Sequence, residues 1–165
     1  MNFQFYVEKL QESEKYNELI KKNKKAFLCS CFFVIDKTGK ESQQHFDFWD
    51  GEKIKSFQLE KGEIVDVANN GDWKPTEISL DLSFDFEDIE DLVFDRIEEE
   101  KIKTTVQKYL FSLQQKDGKN FLIGTVFISN LGMLRVNIDL DEMKIVSFEK
   151  KSFFDVLKVK GKNKD

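Results

Sequence analysis

An internal repeat constrains the fold of this chain more than any other feature of its sequence. The stretch Val136–Phe148, V-N-I-D-L-D-E-M-K-I-V-S-F, has a looser copy in His45–Phe57, H-F-D-F-W-D-G-E-K-I-K-S-F. When Trp49 is treated as an insertion, six of the twelve remaining pairs are identical, far more than random pairing gives. The identical pairs are Asp47 with Asp139, Asp50 with Asp141, Lys53 with Lys144, Ile54 with Ile145, Ser56 with Ser147 and Phe57 with Phe148. The repeat predicts a duplicated architecture.

The composition indicates a folded protein. The chain has 165 residues, of which 40% are hydrophobic and 17 are Phe, beside a charged fraction of 35%. A chain of this length buries roughly 70% of its unfolded surface when it folds, and this much apolar material separates it from disordered sequences. We therefore expect one domain, or two small domains packed closely together.

The charge is negative overall and unevenly distributed. The net charge is -5, which argues against nucleic acid as the main partner, because affinity for its phosphates needs a concentrated basic face. From Asp81 to Glu100 there are ten carboxylates against the single Arg96. Four lysines at 21–25 instead follow the first predicted helix, where cations complement the helix dipole. An acidic side is predicted, and with it a protein partner that has a basic surface.

Two further features favour a cytoplasmic protein without membrane association. The first residues, M-N-F-Q-F-Y-V-E-K-L-Q-E-S-E, lack the basic region and apolar run of a signal peptide, and no apolar run approaches the roughly 18 to 20 residues that span a bilayer. Cys29 and Cys31 lie two apart in one apolar run, so a single strand face is expected to carry both. Burial there predicts reduced, unreactive thiols.

The first half reads as a helix followed by an antiparallel meander. Helical periodicity gives way to a run that is apolar on both faces, as in a central strand. The next strand alternates Phe46 and Phe48 with His45, Asp47 and Trp49. The predicted elements are a helix at 3–22, interrupted near Glu12–Glu14, strands at 26–36, 44–49 and 53–60, and a further short strand at 64–67.

The second half repeats this order. An alternating stretch at 78–86 is predicted to be an extended connection, compatible with an edge strand. Asp85 is the expected N-cap of a helix whose first turn is rich in acids. The predicted elements after it are a helix from Glu87, strands at 106–115, 121–129, 134–140 and 143–148, a short helix from Ser152 through Phe153, Phe154, Val156 and Leu157, and a frayed tail.

The predicted fold class is therefore α+β, with two helix-plus-antiparallel-meander units of PepSY-like or cystatin-like kind packed as one globular body. One helix on three strands buries little core alone, so the two units are expected to pack or pair. The predicted divisions are 1–70 for the first unit, 71–86 for the connection, 87–158 for the second unit and 159–165 for the frayed tail.

The closing hairpins carry a family resemblance. A helix and meander ending in a hydrophobic alternation, an Asp, a short turn and a Lys-Ile-Val strand resemble the PepSY module, whose closing pattern is approximately v-x-v-D-x-x-t-G-k-v-l-x-v. The matching residues are Val136, Ile138, Asp139, Lys144, Ile145 and Val146 in the second half, and Phe46, Asp47, Phe48, Gly51, Lys53 and Ile54 in the first. The glycine of the pattern is Met143 in the second copy, and Gly51 lies one place early in the first. The resemblance implies a non-catalytic module that binds or restrains a peptidase.

A fainter similarity links the chain to small acidic immunity proteins of bacterial toxin systems. Those proteins also place an N-x-G turn, here Asn130-Leu131-Gly132, between two alternating strands. This similarity implies an immunity or inhibitor protein whose acidic surface blocks a basic active site. This immunity or inhibitor function is the alternative to the PepSY-like interaction module.

No motif for catalysis, cofactor binding or metal binding is present. A zinc site needs about four Cys, His or carboxylate ligands, commonly in paired motifs, and two cysteines with the lone His45 do not supply them. A Cys–His nucleophilic pair is conceivable across neighbouring strands, but the cysteines lie in the most apolar run. Phosphate-loop, dinucleotide, hydrolase-elbow and zinc-protease motifs are absent. We therefore expect a non-enzyme without cofactor.

Two surfaces remain as candidate partner-binding sites on an interaction or ligand-binding module. The first is the strand face with His45, Asp47 and Trp49, because exposed Trp is enriched at binding hot spots; a solitary exposed His and a packed Trp are the simpler reading. The second is the acidic helix, represented by Glu90, Asp91 and Glu98. The simpler interpretation of the acidic helix is a solvated face, and a divalent-cation site is a third interpretation.

Overall fold

The computed structural model of the chain describes residues 1–68, 71–152 and 154. Within these residues the fold is α+β, as predicted, with three helices and eight strands. The helices are α1 (Phe3–Gln11), α2 (Glu14–Lys22) and α3 (Phe86–Glu99). The strands are β1 (Phe27–Asp36), β2 (Gln43–Trp49), β3 (Ile54–Gln58), β4 (Glu63–Val67), β5 (Val106–Lys116), β6 (Lys119–Ile128), β7 (Gly132–Asp139) and β8 (Lys144–Ser152).

Capping side chains set where the helices begin. The Ser13 hydroxyl accepts a hydrogen bond from the Tyr16 amide at 3.5 Å and starts α2. The predicted interruption of the first helix is thereby confirmed, because an N-cap residue has non-helical backbone angles. Asp85 caps α3 by accepting from the Glu87 amide at 2.9 Å, as the sequence predicted.

All eight strands form one antiparallel sheet in the order β4-β3-β2-β1-β5-β6-β7-β8. Each run of four consecutive strands is a meander, and the central pairing of β1 with β5 joins the two runs. The edges of the sheet are β4 and β8.

The three helices pack against the same face of this sheet. The Phe33 ring lies 6.2 Å from Phe3 of α1 and 4.8 Å from Phe86 of α3, measured between ring centroids. Tyr16 of α2 contacts Phe48 on the same face, with centroids 5.5 Å apart. These residues belong to a single hydrophobic core that extends from β3 to β8.

The alternating stretch 78–86 does not form the edge strand with which its pattern was compatible, and it adds no strand to the sheet. The Gln4 side chain donates hydrogen bonds to the carbonyls of Leu80 and Leu82, both at 2.7 Å. The buried Phe84 ring stacks on α1. Side-chain hydrogen bonds therefore satisfy backbone groups that a strand neighbour would otherwise bind.

The predicted equivalence of Asp47 and Asp139 is wrong in three dimensions. Asp47 lies within β2 opposite Ser56, whereas Asp139 ends β7 opposite Lys144. The Oδ1 of Asp139 accepts hydrogen bonds from the backbone amides of Asp141 and Glu142, each at 3.0 Å. The Oδ1 of Asp50 likewise accepts hydrogen bonds from the amides two and three residues later in the chain, each at 2.9 Å. The alignment matched residues by linear position and therefore placed Asp47, which lies inside β2, against Asp139, which lies at the end of β7.

The end of the chain can be compared with prediction only in part. Ser152, the predicted start of a last helix, is the final residue of β8. Apart from Phe154, the rest of that helix and the tail at 159–165 lie outside the described residues. Within the described part of the chain, no helix is long and apolar enough to cross a bilayer.

Candidate functional site

Within the described residues, the three helices leave the opposite face of the sheet uncovered, and we call this surface the open face. Strand pairing places its side chains in rows that run across the sheet. They mix aromatic, aliphatic and small polar groups. Representative residues of the open face are Phe27, Ser30, Phe32, His45, Asp47, Trp49, Ile54, Val65, Val67, Ser112, Phe121, Ile123, Asn137 and Val146.

The structure brings His45, Asp47 and Trp49 together on the open face, where each is half-buried. The His45 ring lies 6.1 Å from the Phe32 ring between centroids. The Asp47 carboxylate accepts a hydrogen bond from the Ser30 hydroxyl at 2.6 Å. Asp47 is thus held by its neighbour, and His45 and Trp49 present ring surface to solvent.

Exposed aliphatic side chains extend this surface to both edges. Val65 and Val67 lie on β4, and Ile123 and Val146 lie near the other edge, each between 43% and 46% exposed. Sequence reasoning missed Ile123 because it lies in the unbroken apolar run Phe121-Leu122-Ile123 of β6, which shows no alternation. Only strand pairing shows that Ile123 faces away from the core.

A groove of about 580 Å³ lies on the open face between the β5–β6 turn and the β7–β8 turn. Apolar side chains form its floor and charged side chains form its rim. The rim contains an ion-pair network in which the Lys119 ammonium lies 3.3 Å from Asp139 and 3.2 Å from Glu142. Lys144 also pairs with Glu142.

The rim carboxylate of Asp139 is 2% exposed. Burial opposes its ionisation, but the hydrogen bonds from the Glu142 amide and the Lys119 ammonium outweigh burial and lower the pKa of Asp139 below its usual value. The carboxylate is therefore charged at neutral pH and keeps its two partners. The groove is bounded by a preformed turn.

The acidic candidates lie on α3 but differ in their surroundings. Glu90 forms an ion pair with Lys37 of the β1–β2 turn, and its side chain is only 18% exposed. Asp91 and Glu98 are exposed. The same helix presents Phe94 with 56% of its surface exposed, which sequence reasoning did not single out.

The acidic stripe, which we define as Asp88, Asp91, Asp95 and Glu98, follows spacings of three and four residues along α3. Residues at such spacings share one side of a helix. This side is opposite the buried positions Ile89, Val93 and Ile97. No ion pair involves the stripe within the described residues. It is a continuous line of free negative charge.

The two cysteines are unsuited to nucleophilic chemistry. Burial, with the nearby Asp47 charge, raises the pKa of the Cys29 thiol to about 12 and raises that of Cys31 for the same reasons. The Cys29 thiol donates a hydrogen bond to the Asp47 carbonyl at 3.2 Å. Both thiols are therefore protonated at neutral pH, and the thiolate is the reactive form.

Among the described residues, no group of three or more His, Cys, Asp or Glu side chains is arranged to hold a metal ion.

Comparison with known proteins identifies no family. No protein-family profile matches the chain, and no curated protein matches it. A solved structure from Clostridium difficile 630, described as a candidate lipoprotein, aligns with 84% of this chain and 91% of its own, at 12% identity and a TM-score of 0.45. A likeness at this level carries no argument about function.

Proposed function

We propose that this chain is a non-enzymatic protein-binding module that contacts its partner through the open face of the sheet. One observation carries the proposal: all three helices pack on one side, and the opposite side keeps aromatic and aliphatic groups exposed beside small polar ones. Exposed apolar surface with polar groups around it marks interaction sites in soluble proteins when the patch is large.

The size of the open face suits a protein partner. Strands about 4.8 Å apart and about 3.3 Å per residue give an eight-stranded face of roughly 34 Å by 23 Å, on the order of 800 Å². Each partner in a stable complex contributes about 800 Å². A partner covering this face would also remove the half-buried rings of His45 and Trp49 from water.

The charge of the molecule favours a basic partner. The net charge of -5 and the acidic stripe on α3 would attract such a protein over a distance and raise its association rate. The alternative, an immunity or inhibitor protein that blocks a basic active site, would place the stripe itself in the interface. The two proposals therefore differ in which surface is buried.

We further propose that the two halves are a duplicated unit. Helical residues precede a four-stranded meander in each half, and the closing hairpins share an aspartate-capped turn at Asp50 and Asp139. The closing strands share the sequence pairs Lys53 with Lys144, Ile54 with Ile145, Ser56 with Ser147 and Phe57 with Phe148. The resemblance to PepSY modules stays a prediction that rests on the sequence pattern.

The test is an affinity measurement with paired variants. A partner is first captured by cross-linking to the wild-type protein, identified and purified. His45→Ala with Trp49→Ala is expected to weaken its binding at least about tenfold, because buried aromatic contacts dominate interface energies. Asp91→Lys with Glu98→Lys is expected to change mainly the association rate and its salt dependence.

Phe94→Ala is the matched control, since it removes an exposed aromatic ring from the helical side. Far-UV circular dichroism would verify that each variant is folded. If the sheet variant bound like wild type while the Asp91/Glu98 reversal abolished binding, the open-face proposal would be wrong and the inhibitor alternative would stand.

A further inference from the structure

The strand β4 is an edge of the sheet whose outer side has unpaired backbone groups. It pairs with β3 alone, in unbroken register from Glu63 to Val67. In an antiparallel ladder every second residue directs both its N–H and its C=O to the neighbouring strand, and the residues between direct theirs away. Among the residues that the structure describes, no backbone group of β4 has a hydrogen bond beyond the β3 ladder. The outer side of β4 therefore presents a row of donors and acceptors suited to another strand.

The other edge strand, β8, carries features that oppose the addition of a strand. Two consecutive residues of β7 lie opposite Ile145 and Ser147, which leaves Val146 as an extra residue in β8. Such a bulge bends the strand and disrupts the spacing of its backbone groups. Lys150 and Lys151 add positive charge along the same strand. Bulges and lysines are devices by which edge strands avoid pairing with other chains.

The strand β4 lacks both of these devices. Its sequence, E-I-V-D-V, contains no Lys and no Pro, and its register with β3 shows no bulge. Asp66 does not leave an unpaired charge on this edge, because its carboxylate accepts hydrogen bonds from the ammonium groups of Lys53 and Lys55. A length of five residues is ordinary for a strand. The edge at β4 is therefore regular and open to pairing.

The side chains of β4 specify the kind of strand that fits beside it. Val65 and Val67 lie on the open face, and each is 43% exposed. Side chains directly opposite each other on one face of an antiparallel pair have Cβ atoms about 4.5–5.5 Å apart, so β-branched residues would pack against these valines. Glu63 shares their face, is exposed and has no ion pair within the described part of the chain. A basic side chain opposite Glu63 would complete the match.

A second copy of this chain does not suit the β4 edge. Each copy has a net charge of -5, and net charge of one sign opposes self-association. The sequence of β4 also has no basic residue to place opposite Glu63 of another copy. A basic segment of a different protein meets neither obstacle.

We infer that β4 accepts an antiparallel strand from a basic partner protein, with β-branched side chains opposite Val65 and Val67. This inference goes beyond the proposed function, because the contacts are made by the β4 backbone and not by the open face. Main-chain hydrogen bonds supply the affinity of such strand addition, and alternate side chains supply its specificity.

The test is a titration of the ¹⁵N-labelled protein with the blocked peptide acetyl-Lys-Val-Thr-Val-Thr-Lys-amide. In antiparallel register its valines lie opposite Val65 and Val67, and its last lysine lies opposite Glu63. NMR-detected hydrogen exchange is the readout. At saturating peptide, the outward amides of β4, every second one, are expected to exchange about tenfold or more slowly than in the unbound protein, because they gain a hydrogen-bond partner. The amides already bonded to β3 should change little.

Two N-methylated peptides separate backbone pairing from simple apolar contact. One carries N-methyl groups on both valines, and the other carries them on both threonines. Successive N–H groups of a strand point to opposite sides, so only one of these peptides loses the donors that face β4. That peptide is expected to bind about tenfold or more weakly, whereas the other should bind like the unmodified peptide.

A lysine placed on the edge is the matching protein variant. Val65→Lys is expected to abolish the slowed exchange, because an edge lysine opposes strand addition. Val146→Lys is the matched control, since Val146 has a similar exposure of 46% on the same face but lies on β8. It should bind the peptide like the wild type. Far-UV circular dichroism would verify that both variants are folded.

The outcomes separate this inference from the alternatives. Equal binding of the two N-methylated peptides, or unchanged binding by Val65→Lys, would overturn it. Slowed exchange of β4 amides that increases with protein concentration in the absence of peptide would also overturn it, because a second copy would then occupy the edge. Loss of peptide pairing in the His45→Ala/Trp49→Ala variant would place the peptide on the open face instead. Pairing that persists in this variant would support the β4 edge even if the open-face proposal failed.

Discussion

At the scale of single residues, Gly124 shows how closely the core is packed. It lies in β6 between β5 and β7, opposite Phe111 and Val136. A Cβ atom at this position would lie 2.7 Å from Phe111 Cδ1 and 2.9 Å from Val136 Cγ2. Real Cβ atoms do not approach other atoms so closely, so the missing side chain is a packing requirement.

Gly124→Ala is expected to lower the free energy of unfolding by about 1–3 kcal/mol, the usual cost of overpacking a well-filled core. Urea denaturation, followed by circular dichroism, measures this change in the free energy of unfolding. Gly71→Ala is the control, because nothing lies within 4 Å of its added Cβ, and its effect should stay within about 0.5 kcal/mol. Equal effects at both glycines would contradict the packing explanation.

At the scale of elements, an ion pair between two side chains connects α3 to the first half of the chain, beside the contact of Glu87 with the N-terminal ammonium of Met1. Lys37, in the turn after β1, pairs with Glu90. The pair lies at the side of the helix, away from the acidic stripe. Glu90 is therefore a structural contact of the helix, although the sequence grouped it with the binding candidates Asp91 and Glu98.

Glu90→Lys is expected to destabilise the protein, because it places two lysines together, and the added Lys37→Glu should restore the attraction. The coupling energy of the pair in a double-mutant cycle should be below about 1 kcal/mol, since nearly half of the Lys37 side chain is exposed to water and exposed pairs contribute little. Thermal unfolding of the wild type, the two single variants and the double variant, at low and at high salt, measures the coupling energy.

Asp91→Lys provides the comparison for this cycle, because Asp91 is exposed on the acidic stripe without an ion-pair partner in the described structure. Its stability should match or exceed that of the wild type. A loss as large as that of Glu90→Lys would show that helix charge in general, and not the Lys37 contact, determines the effect.

At the scale of the whole molecule, the two runs of strands share one sheet and one core. The β1–β5 ladder pairs Cys31 with Leu113 and Phe33 with Phe111. These residues are buried under the helices. Separating the runs would expose this seam and its apolar side chains to water.

Unfolding is therefore expected to be a single cooperative transition. Tryptophan fluorescence, to which Trp49 of β2 contributes, reports on the first run of strands. The NMR signals of the Leu122 and Leu134 backbone amides report on the second run of strands. The urea midpoints of the two probes should coincide, as a two-state transition requires; two separated midpoints would show that the seam contributes little and that the halves are independent.

Local patterns were enough to predict much of the secondary structure. The alternation in β2, the interruption of the first helix at Ser13 and the cap of α3 at Asp85 depend on neighbouring residues only. The sequence predicted an extended connection at 78–86, but not the hydrogen bonds from Gln4 that hold it, because Gln4 is distant in sequence. The exposed position of Ile123 was not predicted either, because the unbroken apolar run Phe121-Leu122-Ile123 does not reveal which face of β6 is covered.

By itself, the sequence determined the α+β class, the cap of α3 at Asp85 and the burial of Phe46 and Phe48, because periodicity and capping are local. Only the tertiary structure decided that β1 pairs with β5 to make one sheet, that Asp139 begins a turn whereas Asp47 lies within β2, and that a groove forms beside Asn137. These features depend on contacts between residues far apart in the chain. Such contacts are chosen by the packing of whole elements, which no local pattern encodes.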